Sequence, residues 1–421
     1  MPLTPPLPAL PRFWRRAFTA LISSCGLLWA QGPAHSQEPL HPVDAAAPVQ
    51  PATQAPWART MHRELERFAR QENARFGVYV HDLDSGQRMS FHGDERWYLA
   101  SSVKVPVAIA VLRAVERGDF SLETALTLRA GDYVDGAGST SRQPVGTALT
   151  VRWLLEQMII YSDNTASDML IGLVGIREVN AVTQLLVPRG LERITSLADV
   201  RRHAYRQLTP EADHLSGSDF LVLKQQRSDA DVKAALARLL HLPASALQPM
   251  SLSQAYEAYY AEGLNSGRLD AYADLLAQLV GGAALNAQHT AYLLGVMERV
   301  KTGPRRIKAG LPPGARFAHK TGTQRARTCD SGLVTMPRAV QERRVIVVAC
   351  TRGEPSTARS DRTLRHVGIA LCQSGLLSHG KSHETTCPRV FPPSLGPVAP
   401  AVLGGPGTAG SHTDDDLRDE P

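Results

Sequence analysis

Ser101 and Lys104, three residues apart, carry the side chains in this 421-residue chain best suited to covalent chemistry. They sit in Ala100-Ser101-Ser102-Val103-Lys104-Val105-Pro106-Val107, followed by apolar Ile109, Val111 and Leu112 and by Gly118 as a stop signal. The pattern predicts the first turn of a buried helix, and a spacing of three puts both side chains on one face. A serine hydroxyl is a poor nucleophile until a neighbour takes its proton. A lysine in a desolvated cleft can lose its charge and become that neighbour. The free N–H groups of a helix start suit a developing oxyanion. A short Ser-x-x-Lys is common by chance, so its weight depends on what else the chain supplies.

Two later stretches add to it. Tyr161-Ser162-Asp163-Asn164 lies between a helical run capped by Thr150 and ending at Met158, and a second run from Thr165 to Leu173. In such a tight turn Asp163 can satisfy backbone N–H groups, leaving Ser162 and Asn164 to face a cleft. Phe317 to Thr323 reads as a strand that includes Lys320-Thr321-Gly322. A glycine inside a strand marks close approach by another backbone or a ligand.

The elements that must position these groups follow a recognisable order. Met61, Leu65 and Phe68 form a helical stripe. Phe76–Leu83 and Gln87–His92 read as two strands around Asp84-Ser85-Gly86. A long helical stretch comes next, with Asp219 to Leu240 read as one helix, Leu252 to Ala261 as another, and a further helix from the Asn286 cap to Gly303-Pro304. Strands at Leu333–Met336 and Arg344–Ala349 and a helix from about Ser360 to Leu377 close the domain. The order is therefore a helix and two strands, then many helices, then three strands and a helix.

Residues 1–36 read as an export signal. Arg12, Arg15 and Arg16 precede an apolar stretch from Ala17 to Ala30, and Ala34-His35-Ser36 is a small-x-small cleavage site. Arg15-Arg16-Ala17-Phe18 resembles the twin-arginine motif. A periplasmic or secreted location is expected. The Pro/Ala-rich segment 37–57 reads as a linker, 58–378 as the folded domain, and 379–421 as a disordered tail. The net charge of +6 is spread along the chain without a long basic run, which argues against nucleic-acid binding. Neither a Cys-x-x-Cys pair nor a His-Glu-x-x-His motif is present, and no metal or cofactor is expected. A membrane span after signal cleavage is not expected either, and a monomer is.

Ser101-x-x-Lys104, Ser162-Asp163-Asn164 and Lys320-Thr321-Gly322, in that order, resemble the signature of class A β-lactamases and penicillin-binding proteins. The resemblance covers roughly Ala58 to Leu377. It implies an α+β fold, an antiparallel sheet flanked by N- and C-terminal helices and packed against a mostly helical region, 101–310, with a crevice between the two in which Ser101 attacks a lactam carbonyl and Lys104 takes or relays the proton. It further implies that Ser162 passes a proton to the leaving nitrogen, and that Asn164 holds the substrate amide and positions Lys104. Lys320 and Thr321 would hold the substrate carboxylate, and the N–H groups of Ser101 and Thr323 would form the oxyanion hole. Arg325 and Arg327 are either further carboxylate binders or solvated arginines at a strand turn.

The sequence departs from that family in one place. Class A enzymes carry a Glu-x-x-Leu-Asn loop whose glutamate activates the deacylating water. Here Ile194-Thr195-Ser196-Leu197-Ala198-Asp199 is followed by Val200-Arg201-Arg202, and a longer stretch continues to residue 262. Asp199, Glu211, Glu257 and Glu262 are the candidate bases. The readings that remain are a β-lactamase-like hydrolase, a D-alanyl-D-alanine peptidase or related acyl hydrolase with slow deacylation, and a non-catalytic binder of peptidoglycan or β-lactam. Of five cysteines, four lie in the last quarter. If residues 333–349 form a symmetric hairpin, Cys329 faces Cys350. That pair and Cys372–Cys387 are either disulfides or buried thiols.

Overall fold

The computed structural model describes residues 55–337, 342–378 and 387–388. The expected export signal, most of the linker and most of the tail lie outside the described residues. Helix α1 (Pro56–Glu72) starts two residues before the expected domain boundary. Pro56 at its first turn loses no hydrogen bond, and Trp57 is buried and donates to Gln87 Oε1 at 2.8 Å.

Strands β1 (Phe76–Asp82) and β2 (Arg88–Phe91) form the first hairpin, and β3 (Arg96–Tyr98) leads to the Ser101 turn and to helix α2 (Lys104–Arg117). Ser101 does not lie inside that α-helix as the spacing suggested. Ala100–Val103 is a tighter 3-10 turn, and the α-helix begins at Lys104. Gly118, at φ 81°, ends α2 where expected.

The helical region then runs through β4 (Ala125–Thr127), β5 (Ala148–Thr150), α3 (Val151–Ile160), α4 (Asn164–Val174), α5 (Ile176–Leu186) and α6 (Leu197–Arg206). Helices α7 (Gly217–Lys224) and α8 (Asp229–Leu239) occupy the stretch read as one helix. Ser228 restarts it by accepting from the Asp231 N–H, a cap worth about 1 kcal/mol. Helix α9 (Leu252–Ala261), strand β6 (Ser266–Arg268), and helices α10 (Leu269–Val280), α11 (Ala287–Glu298) and α12 (Ile307–Gly310) complete the region. Helix α11 stops at Glu298, short of the Gly303-Pro304 signal.

Strands β7 (Arg316–Gln324), β8 (Arg327–Met336) and β9 (Arg343–Arg352) precede the last helix, α13 (Thr357–Gln373). The main sheet is antiparallel in the order β2-β1-β9-β8-β7. Its central strands are buried on both faces, so successive residues enter different cores. Val345, Val347 and Ala349 join Val78, Val80, Met61, Leu65, Leu364 and Leu371 under α1 and α13. Ile346, Val348 and Cys350 face the helical region with Tyr79, Val105, Ile109 and Tyr272. A third, smaller core built on Leu208, Phe220, Leu223 and Leu236 holds the segment from α6 to α9 together.

Cys329 pairs with Cys350 in the β8–β9 register, and the two form a disulfide with Cα atoms 4.1 Å apart. Cys372, near the end of α13, bonds to Cys387. Among the described residues, no single helix is long and apolar enough to cross a membrane.

Candidate active site

Three separate parts of the chain meet around one hydroxyl. Lys104 opens α2 and is fully buried. Its Nζ donates to Asn164 Oδ1 at 2.7 Å, to Ser162 Oγ at 3.2 Å and to the Ser162 carbonyl oxygen. Lys320, fully buried on β7, donates to the same Ser162 Oγ at 3.0 Å and to Thr321 O at 2.9 Å. Ser162 therefore bridges two amines. Its φ of 61° lets carbonyl and hydroxyl both face Lys104, a conformation that costs a non-glycine residue energy and that its surroundings must hold in place.

The surroundings are specific. Asp163 caps α4, accepting from the Ala166 N–H at 2.9 Å and the Thr140 N–H at 2.8 Å. Asn164 Nδ2 donates to Asp135 O at 2.6 Å, which fixes the amide so that its oxygen faces Lys104. The loop that supplies Thr140 and Asp135 wraps closely over the turn. A Cβ on Gly136 would lie 2.2 Å from Asn164 Nδ2, and one on Gly138 2.1 Å from Asp163 Oδ2.

Ser101, half-buried in the 3-10 turn, lies against β7. A Cβ on Gly322 would stand 2.5 Å from Leu99 O and 3.2 Å from Ser101 N, so the glycine in Lys320-Thr321-Gly322 permits the approach. Behind that strand, fully buried Arg306 donates to Asp361 Oδ1 and Thr323 Oγ1, both at 2.8 Å, and Thr302 shares a hydroxyl contact with Thr321. Sequence reasoning passed over Arg306 and Thr302. The only local signal was the Gly303-Pro304 break beside them.

Burial sets the electrostatics. Desolvation lowers the Lys104 pKa from 10.5 to about 7, against the pull of Asp163 and Asp168, and the Arg201 cation pushes it the same way as burial. Near neutral pH a large fraction of this amine is free to accept a proton. Asp168, one helical turn beyond Asn164, has its pKa raised to about 6 by burial even though both carboxylate oxygens accept backbone N–H groups, from Leu197 at 2.7 Å and Ala198 at 2.8 Å.

Each candidate deacylation base is engaged elsewhere. Asp199 pairs with Arg202 at 2.8 Å, Glu257 with Arg327 at 2.6 Å and Glu262 with His203 at 3.3 Å, while exposed Glu211 accepts from Thr209. Arg327 also lies over the Tyr260 ring, and Arg325 contacts Asp229 at 3.7 Å and Ser253 Oγ at 3.3 Å. Both arginines are therefore held by the 200–262 segment.

Two buried lysines thus share one serine hydroxyl. The sequence profile of the beta-lactamase enzyme family matches residues 60–374, and the chain belongs to this family. It is 35% identical to beta-lactamase ROB-1 of Haemophilus influenzae over 136 residues, 32% of this chain and 42% of that protein. With beta-lactamase VEB-1 of Pseudomonas aeruginosa it shares 22% identity over 284 residues, 65% and 77% of the two chains. The chain thus spans only about two fifths of the length of the first curated relatives it matches, 42% for ROB-1. Among solved structures, PBP-A superposes with a TM-score of 0.55 at 24% identity, covering 76% of this chain and 97% of the other. A beta-lactamase from Sphaerobacter thermophilus gives 0.55 at 24%, covering 76% and 98%. These neighbours define the β-lactamase/transpeptidase-like fold.

Proposed function

We propose that this chain is an exported serine hydrolase of the class A type that opens β-lactam rings through a Ser101 acyl-enzyme. The observation that carries the reading is the Ser162 hydroxyl held between Lys104 and Lys320, with burial lowering the Lys104 pKa to about 7. Ser101 Oγ attacks the lactam carbonyl carbon and its proton passes to Lys104 Nζ. The ring C–N bond breaks, and the leaving nitrogen takes a proton through Ser162. Asn164 holds the substrate amide, Lys320 and Thr321 the substrate carboxylate, and the N–H groups of Ser101 and Thr323 the oxyanion. Removing one such donor typically costs about a hundred- to a thousandfold in rate. Two disulfides are in keeping with an oxidising compartment after export through the 1–36 leader.

A second reading, a D-alanyl-D-alanine peptidase or related acyl hydrolase that releases its acyl group slowly, is favoured by one feature. Asp199, Glu211, Glu257 and Glu262 are all engaged away from Lys104. A PBP-A variant among the structural neighbours is described as an acyl-enzyme complex with penicillin G.

Stopped-flow hydrolysis of a chromogenic lactam separates the readings: steady turnover for the first, a single stoichiometric burst for the second. Ser101→Ala abolishes labelling by a fluorescent penicillin. Persistent labelling of that variant removes Ser101 as the nucleophile.

A further inference from the structure

The segment in which the family's general-base glutamate is expected carries a cation. Arg201, on α6, is 12% exposed, and its Nε donates to Asp135 Oδ1 at 2.7 Å. Its Nη1 reaches Tyr256 OH on α9 at 3.4 Å. Asp135 is also the residue whose carbonyl accepts from Asn164 Nδ2, and Asn164 Oδ1 accepts from Lys104. A chain of four polar contacts therefore runs from α9 through Arg201, Asp135 and Asn164 to the Lys104 amine.

We propose that Arg201 is a positioning residue for acylation: through Asp135 it braces the loop that orients Asn164, the amide that holds Lys104 Nζ. This rests on the reading that Lys104 accepts the Ser101 proton. Two features of the packing support the bracing role. The same loop is gripped a second time by the inserted segment, where Lys224 of α7 donates to Gly136 O at 3.2 Å. Helix α7 also presses on it so closely that a Cβ on Gly217 would lie 2.0 Å from Tyr133 O. The 200–262 segment thus acts as a buttress behind the Ser162-Asp163-Asn164 turn.

The charged groups around Lys104 come from each neighbouring element. Asp163 and Asp168 of the Ser162 turn and α4 favour the ammonium. Arg201 of α6 opposes it, and Lys320 of β7 shares its Ser162 hydroxyl partner. Arginine suits the bracing task because its planar fork contacts Asp135 and Tyr256 at once.

The test is the pH profile of labelling by a fluorescent penicillin, measured on the mature protein. In Arg201→Gln the lower limb moves up by about one unit, and the rate at pH 7 falls about fivefold. In Arg201→Lys, which keeps the charge, the limb stays in place while the rate drops. Arg202→Gln, which removes the neighbouring cation on the same helix, leaves the limb unmoved. Should Arg201→Gln fold poorly, Arg201→Met, which keeps much of the apolar stem and removes the cation, takes its place with the same upward shift expected. Limbs coinciding with the wild type in both Arg201→Gln and Arg201→Met overturn the proposal. Labelling that survives Ser101→Ala instead overturns the acyl-enzyme reading beneath it.

Discussion

Gly322→Ala isolates how closely β7 must approach Ser101. The new Cβ would meet Leu99 O at 2.5 Å, Ala100 Cβ at 3.1 Å and Ser101 N at 3.2 Å. The first contact is about 1 Å short of a van der Waals separation of roughly 3.5 Å. Two of these atoms belong to the backbone, so no rotamer change relieves the overlap. Strand and turn must separate by most of that distance, at about 1–3 kcal/mol in stability. Moving a reacting group by about 1 Å costs about a hundredfold in rate. The expected result is therefore a labelling rate about a hundredfold below wild type with a modest drop in melting temperature. Gly368→Ala is the control, since its Cβ would sit 2.3 Å from Ile307 O between α12 and α13. It lowers the melting temperature to a similar extent and leaves labelling near normal. If Gly322→Ala labels within about threefold of wild type, the argument from close approach fails.

Other outcomes follow from the same geometry. With the Lys104 pKa lowered to about 7, the acylation rate levels off above that pH and falls about tenfold per unit below it, as read from labelling across pH 5 to 9. Lys320→Ala weakens recognition of carboxylate-bearing lactams more than of an uncharged ester, and equal losses on both count against its assigned role. Cys329→Ala/Cys350→Ala lowers stability by about 2–4 kcal/mol in denaturant unfolding, because the bridge no longer restricts the unfolded chain.

Short-range chemistry made much of the molecule readable from sequence. Thr150 and Asn286 do cap helices, through Trp153 N and His289 N, and Gly118 does end one. Leu252–Ala261 has the bounds its pattern gave. Hairpin symmetry placed Cys329 opposite Cys350 because an antiparallel register is fixed by counting. What stayed hidden depends on contacts distant in sequence. Nothing near Arg201 announces Asp135, 66 residues away, and nothing near Arg306 announces Asp361, 55 residues on. The Ser228 cap that separates α7 from α8 sits in the polar run 224–229, which holds no Gly or Pro to mark the break. Nothing in the sequence around Asp168 marks it, and only the fold shows it holding the start of α6.

The bridge from Cys372 to Cys387 has a practical bearing. It fastens the root of the C-terminal extension to the last turn of α13, whose apolar side chains Leu364, Val367 and Leu371 belong to the layer shared with α1. Ala100 and Val103, beside the nucleophile, belong to the opposite layer. A reporter or surface tether joined directly at Pro388 therefore starts from the face of the sheet opposite the Ser101 layer.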